Sequence, residues 1–228
     1  MKSLIFDTGS IISMALNNLL WILDPLKKRF KGKFFVTEEA KIELIETPLK
    51  IRRFEFEALQ TLAYFKKNTL EVIASPEIDK LQDYLLDLAN KSYKSKGKYI
   101  TIVQRADMEG IAAAVFLNSE AFVVDERTSR WLIEKPTQLR DHLSSRLNRD
   151  IEIDQTNLKN FQKEVKNVKF LRSTELGYAA YKLGLLDEYV PELPNAKKML
   201  LESMLWGLKL RGCAISKKEI LEIVRSET

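Results

Sequence analysis

"LIFDTGS", residues 4–10, runs three apolar residues into a carboxylate and then offers two hydroxyl residues around a glycine. Its apolar part reads as a buried strand, and "SIISMALNNLLWIL" from Ser10 carries apolar residues at helical spacing until Pro25 stops it. A strand that passes directly into a helix is the opening unit of a parallel α/β sheet. Asp7 stands at that junction with two readings open. It caps the helix, as Asp commonly does, or it is the first ligand of a metal site.

The same alternation continues outward. "KFFV", residues 33–36, reads as a short strand, and Thr37 caps a helix that runs to about Glu46 and ends at Thr47-Pro48. A longer helix is expected from about Lys50 to Lys67, then a strand "LEVIA" at 70–74, then a helix from Ser75-Pro76 through Ser92. The stretch around Gly97 reads as a loop. Residues 101–118, "TIVQRADMEGIAAAVFLN", read as a helix whose alanine-rich half packs closely on a sheet, and "AFVV", 121–124, is a strand that ends on Asp125. Helices follow at about 128–135, 137–148 and 154–166, then a strand "VKFL" at 168–171, then helices at about 173–184, 195–210 and 216–225. The fold class expected is α/β, a Rossmann-like parallel sheet of about five strands flanked by helices. Residues 1–172 form the main domain, with a helical insertion at about 130–166, and 173–228 form a helical C-terminal extension packed on or continuing it.

Composition limits the chemistry. The 228 residues suit one main domain. Hydrophobic residues at 45% and charged residues at 30% fit a globular chain and argue against disorder. No apolar run approaches the ~20 residues of a membrane span, and a signal-peptide pattern is lacking, so a cytoplasmic location without membrane association is expected. Cys213 is the single cysteine and His142 the single histidine. A metal site must therefore use oxygen ligands, which suit Mg²⁺ or Mn²⁺ rather than zinc. Net charge is +5, concentrated in "KKRFKGK" at 27–33 and "KSYKSKGK" at 91–98; such runs are solvated surface or footing for a polyanion such as RNA. "MLLESMLWGLKLRGCAI", 199–215, either completes the core or covers a self-association surface.

In an open parallel sheet, ligands bind at the carboxyl ends of the strands. Asp7 and Asp125 both end strands. Glu43 lies on the helix after the second strand, one turn beyond Glu39, and Asp107 lies early in the helix before "AFVV". Glu109, two positions past Asp107, should turn away from it. Each acid alone has an ordinary reading: cap, solvated helix residue, Asx turn or surface pair. Together they suggest a cluster that needs a cation, because unpaired carboxylates repel one another and lose hydration.

With these residues in view, the chain resembles the PIN-domain nucleases. The resemblance rests on Asp7, Thr8 and Ser10 in "LIFDTGS", Glu43 in "FFVTEEAKIEL", Asp107 in "RADMEGIAAAVF" and Asp125 in "AFVVDERTSR", and covers residues 1 to about 131. In pattern it looks most like the branch with the nuclease that matures the 3′ end of small-subunit ribosomal RNA, without that branch's zinc ribbon. The resemblance implies a PIN-like sheet and a Mg²⁺- or Mn²⁺-dependent endoribonuclease that leaves a 5′-phosphate and a 3′-hydroxyl. Asp7, Glu43, Asp107 and Asp125 would be the catalytic, metal-holding set and should converge closely enough to share one or two ions. Thr8 or Ser10 would orient Asp7 or a water. Glu126, where many members have Asp, would assist through the metal's water shell or serve only as a first-turn helix residue; Val123 stands where many have Thr. Arg105, Arg127 and Arg130 flank the acids and would meet substrate phosphates, with Arg52, Arg53 and the Lys27–Lys33 run widening the track. Partners implied are RNA, a second copy of the chain and an antitoxin-like protein. The alternatives to the enzyme are a catalytically silent RNA- or protein-binding module and the toxin of a toxin–antitoxin pair.

Overall fold

The computed structural model describes residues 2–227. β1 (Ser3–Phe6) turns after one residue into α1 (Thr8–Leu16), and α2 (Leu23–Phe30) leads to β2 (Lys33–Thr37). From Thr37 a continuous helical stretch comprises α3 (Glu38–Lys41), a π-helical turn (Ile42–Glu46) and α4 (Thr47–Ile51). α5 (Glu55–Lys66), β3 (Glu71–Ile73) and α6 (Pro76–Asn90) follow. After β4 (Tyr93–Ser95) and β5 (Lys98–Tyr99) come α7 (Arg105–Phe116) and β6 (Ala121–Val123). The remaining third holds α8 (Arg127–Glu134), α9 (Pro136–Leu147), β7 (Glu152–Ile153), α10 (Gln155–Val165) and β8 (Phe170–Leu171). α11 (Ser173–Lys182), α12 (Ala196–Leu210) and α13 (Lys217–Ser226) end the described chain.

Five strands form one parallel sheet in the order β3-β2-β1-β6-β8, a Rossmann-like arrangement. The chain builds outward from β1 to β3 on one side and then to β6 and β8 on the other. The order therefore reverses between β1 and β6, where an open parallel sheet leaves a crevice at its carboxyl edge. The register pairs Phe6 with both Val36 and Val123, so three strands end level at that edge.

Strand side chains alternate between faces, and each face carries its own core. Leu4, Phe6, Phe34, Val36 and Val123 pack with α1 and with Leu176, Leu201, Leu205, Leu208 and Ile220 of the C-terminal helices. Ile5, Phe35 and Phe122 pack on the other face with α6, α7 and Leu139, Leu158 and Phe161 of the inserted helices. The extension thus completes the core on one face and the insertion on the other. In 199–215, Leu201, Leu205, Leu208, Cys213 and Ile215 are buried, the core reading. Among the described residues no helix is long and apolar enough to cross a membrane.

Three local differences from the sequence reading have physical causes. The stretch around Gly97 is a hairpin, with Lys96 and Gly97 at positive φ (50° and 74°) joining β4 to β5, and β7 of the insertion pairs with β4. Its strands are too short and too charged to show an alternating pattern. Thr47-Pro48 does not end the preceding helix. In the π turn the Thr47 amide donates to the Ile42 carbonyl five residues back, a wider turn that admits Pro48 in the first turn of α4, where its missing N–H costs little. The break falls later, where Arg52 and Phe54 take positive φ, so α5 starts at Glu55 rather than at Lys50.

α7 lies flush on the sheet because Gly110 faces the Phe122 ring, and a Cβ there would stand 2.5 Å from that ring. Gly110→Ala therefore lowers unfolding free energy by about 1–3 kcal/mol through overpacking, although helix propensity alone favours Ala by up to about 1 kcal/mol. Denaturant titration of both proteins reads the sign directly.

Candidate functional site

Asp7 closes β1 and does two things at once. Its Oδ2 accepts the Gly9 amide at 2.9 Å, capping α1, while its backbone amide donates to the Val123 carbonyl at 2.9 Å. The carboxyl lies on the wall of a small cleft of about 60 Å³, lined by Thr8, Thr37, Ala40, Glu43, Ala106 and Asp107 with Phe6, Gly110 and Phe122 behind them. Burial, opposed by the Gly9 amide and reinforced by the charges of Asp107, Glu43 and Asp125, pushes the Asp7 carboxyl from its ordinary 3.8 up to about 7. The two readings of Asp7 are therefore compatible, since the cap occupies one oxygen and leaves the other.

Glu43 reaches the same cleft from the π-helical turn, a feature that recurs at functional sites. Thr8 donates to Glu43 Oε2 at 2.8 Å, so this hydroxyl orients Glu43 rather than Asp7. Ser10 does not touch the Asp7 carboxylate either: its hydroxyl donates to the backbone carbonyls of Asp7 (2.7 Å) and Val123 (3.3 Å), tying α1 to β6. Both hydroxyls serve the site through geometry that spacing alone did not reveal.

Asp107 enters from α7, where its Oδ2 accepts the Gln104 amide at 2.7 Å. Burial raises its pKa, countered by that amide and helped by the charges of Glu126 and Glu43. Asn90 sets this helix start: its side-chain oxygen accepts the Ile102 and Val103 amides (2.8 and 3.2 Å) and its amide donates to the Val103 carbonyl at 3.0 Å. The segment 101–104 is thereby extended, and α7 begins at Arg105 rather than at residue 101.

Glu109, turned away from Asp107 as expected, is nevertheless part of the apparatus. It is buried and its Oε2 accepts the Glu39 amide at 3.2 Å, at the N-terminus of α3, where a carboxylate is favourable. Burial raises its pKa, while hydrogen bonds from Thr37 and the Glu39 amide oppose that rise. One helix thus carries Asp107 to the cleft and grips the element bearing Glu43. The sequence signal was only an acid in an otherwise apolar helix.

Asp125 lies apart from these three as a side chain. It is 2% exposed, and both its oxygens are engaged by Ser173: Oδ1 accepts the amide at 2.8 Å and Oδ2 the hydroxyl at 2.7 Å. It caps a helix 48 residues away, a pairing no local pattern discloses. Glu126 caps α8, accepting the Ser129 amide at 2.9 Å, while its charge still acts on Asp107.

The cations are mostly engaged. Arg105 pairs with Asp83 and lies 3.7 Å from Glu39. Arg130 sits 3.7 Å from Glu134 with its Nε buried, and Arg127 is exposed with its guanidinium 4.8 Å over the Trp131 ring. The Lys27–Lys33 run does not extend this edge. Lys27 and Lys33 hold Glu71 at 3.1 and 2.5 Å, at the amino ends of β2 and β3, roughly 13 Å along β2 from the carboxyl edge.

The donor set at the cleft, three carboxylates and a hydroxyl, is chemically that of a hard divalent cation. Among the described residues, no group of three or more His, Cys, Asp and Glu side chains is placed to hold an ion between them. The shared four-acid cage expected from sequence is not present. The arrangement fits an ion held directly by one or two carboxylates with water in its other positions, as Mg²⁺ accepts.

A raised carboxyl pKa favours the folded state when protonated, so its contribution is full below about pH 4 and is lost as pH rises through about 7. The difference in unfolding free energy between wild type and Asp7→Asn therefore falls over that interval, by on the order of 4 kcal/mol at most. At about pH 8, Mn²⁺ raises the denaturation midpoint of wild type, by binding the folded state alone, and leaves Asp7→Asn unmoved. Parallel profiles for the two proteins would remove Asp7 from the site.

Comparison of the chain with protein-family models, with curated proteins and with solved structures finds no match in any of the three.

Proposed function

We propose that this chain is a PIN-like, divalent-metal-dependent endoribonuclease. The observation that carries the reading is the meeting of Asp7, Glu43 and Asp107, from three separate elements, in one cleft at the reversal point of the sheet, with the Asp7 carboxyl raised to about 7. Acids are held together at such a cost where a cation or a proton is to be bound.

Asp7, Glu43 and Asp107 would hold Mg²⁺ or Mn²⁺. When bound, the ion supplies a neutralising charge, a water activated toward phosphorus and stabilisation of the leaving oxygen. The chain's own contribution is orientation. Thr8 holds Glu43, the Gly9 and Gln104 amides hold one oxygen each of Asp7 and Asp107, and Glu109 holds the start of α3. Asp125, committed to Ser173, acts on Asp7 through its charge. Arg127, exposed beside Glu126, is the cation for a substrate phosphate, and such contacts bring salt-sensitive binding without sequence readout. Cleavage would leave a 5′-phosphate and a 3′-hydroxyl.

A second reading, a PIN-like module that binds RNA or protein without cutting, draws support from the engagement of both Asp125 oxygens. Cleavage of single-stranded RNA in Mn²⁺ separates the two. Wild type cleaves, and Asp7→Asn and Asp107→Asn each lose at least ~100-fold while retaining RNA affinity. Equal cleavage by wild type and variants would dispose of the site, and RNA binding without cleavage by any of them would establish the silent module.

Glu109→Gln, which keeps an acceptor for the Glu39 amide, retains most activity. Glu109→Ala lowers it and weakens Mn²⁺ binding measured by calorimetry. If Glu109→Ala costs stability alone, Glu109 supports the fold and not the site.

A further inference from the structure

The helical elbow that joins α4 to α5 exposes large apolar side chains at its tip. Ile51 is 57% exposed, Phe56 67%, Leu59 52% and Leu49 41%. The link is only three residues long, so these four lie within about one helical turn of the bend on either arm. Arg52 and Phe54 both take positive φ in that link (60° and 62°), conformations that L side chains adopt at a cost and that persist only where the surroundings enforce them. Apolar exposure this concentrated marks an interaction surface rather than scattered surface residues.

The charges around the tip say what would cover it. Lys50, Arg52 and Arg53 precede the bend or lie in it, Glu55 and Glu57 begin α5, and Glu46 ends the π turn: three cations and three acids, segregated along the elbow. Among the described residues none of the six has an ion-pair partner. A nucleic acid or an anionic membrane would call for cations in excess, and aliphatic side chains offer no platform for bases. A patch that holds both signs in equal number around an apolar centre is complementary to itself when turned about a two-fold axis, the requirement of an isologous interface.

We infer that the α4–α5 elbow is a homodimer surface, in which the basic bend of one copy meets the acidic start of α5 in the other around Phe56 and Leu59. This surface is separate from 199–215, whose apolar residues are largely spent in the core. The inference is independent of the nuclease reading. It does place the interface on the helical stretch that carries Glu43.

Sedimentation equilibrium of the full chain at tens of micromolar tests it. Wild type sediments as a dimer, and Phe56→Glu and Leu59→Glu each raise the dissociation constant at least ~10-fold with unchanged circular dichroism. Arg52→Glu/Arg53→Glu and Glu55→Lys/Glu57→Lys are each monomeric, and mixing the two restores a dimer. A monomeric wild type, a dimer that survives both Phe56→Glu and Leu59→Glu, or a mixture that stays monomeric would each overturn the inference. So would a monomer whose RNA affinity falls on Phe56→Ala, which would assign the elbow to RNA.

Discussion

The pairing of β1 with β6 continues one residue past β1, where the Asp7 amide donates to the Val123 carbonyl at 2.9 Å. That bond, with the Ser10 hydroxyl shared between the carbonyls of Asp7 and Val123, holds the first acid against the strand that leads to Asp125. Because β1 and β6 are the strands between which the sheet order reverses, the elements that follow them diverge and leave a crevice. The neighbouring acids are brought up to its edge by α7 and by the helical stretch after β2. Electrostatics alone would separate these acids; the register of a buried parallel sheet, backed by two apolar cores, does not permit it.

The supporting structure is polar and reaches far in sequence. Asn90 straightens the approach to α7, Glu109 takes the free amide at the head of α3, and Thr8 bridges to Glu43. The C-terminal extension clasps Asp125 twice, through Ser173 at its side chain and through the Ala214 amide, which donates to its carbonyl at 2.9 Å. Arg172 closes this clasp by donating to the Ala214 carbonyl and pairing with Glu175 and Glu219. The extension is therefore tied to the edge that carries the acids as well as to the core.

Much of the architecture was legible because it rests on local pattern. The apolar runs at 3–6, 33–36 and 121–123 announced strands, and helices from 127 onward followed their caps closely. Where the pattern was weak, as in the charged hairpin at 93–99, or where tertiary bonds overrode propensity, as at 101–104, the reading slipped. The π turn was invisible because it differs from an α turn in one backbone bond and not in residue preference.

The site divides in the same way. Sequence by itself determined that this is a parallel α/β chain with acids at the ends of its strands, since strand, turn and cap are short-range matters of side-chain period and backbone donors. Only the tertiary structure decided which acids share a cleft. It brought Asp7, Glu43 and Asp107 together, gave both oxygens of Asp125 to Ser173, made Glu109 a holder of α3, and turned Thr8 toward Glu43. The physical reason is that a carboxylate's role depends on its burial and on which donors reach it, and those donors are distant along the chain. Thr8 and Glu43 are 35 residues apart, Glu39 and Glu109 70, and Asp125 and Ser173 48, separations that only the packed sheet and its helices close.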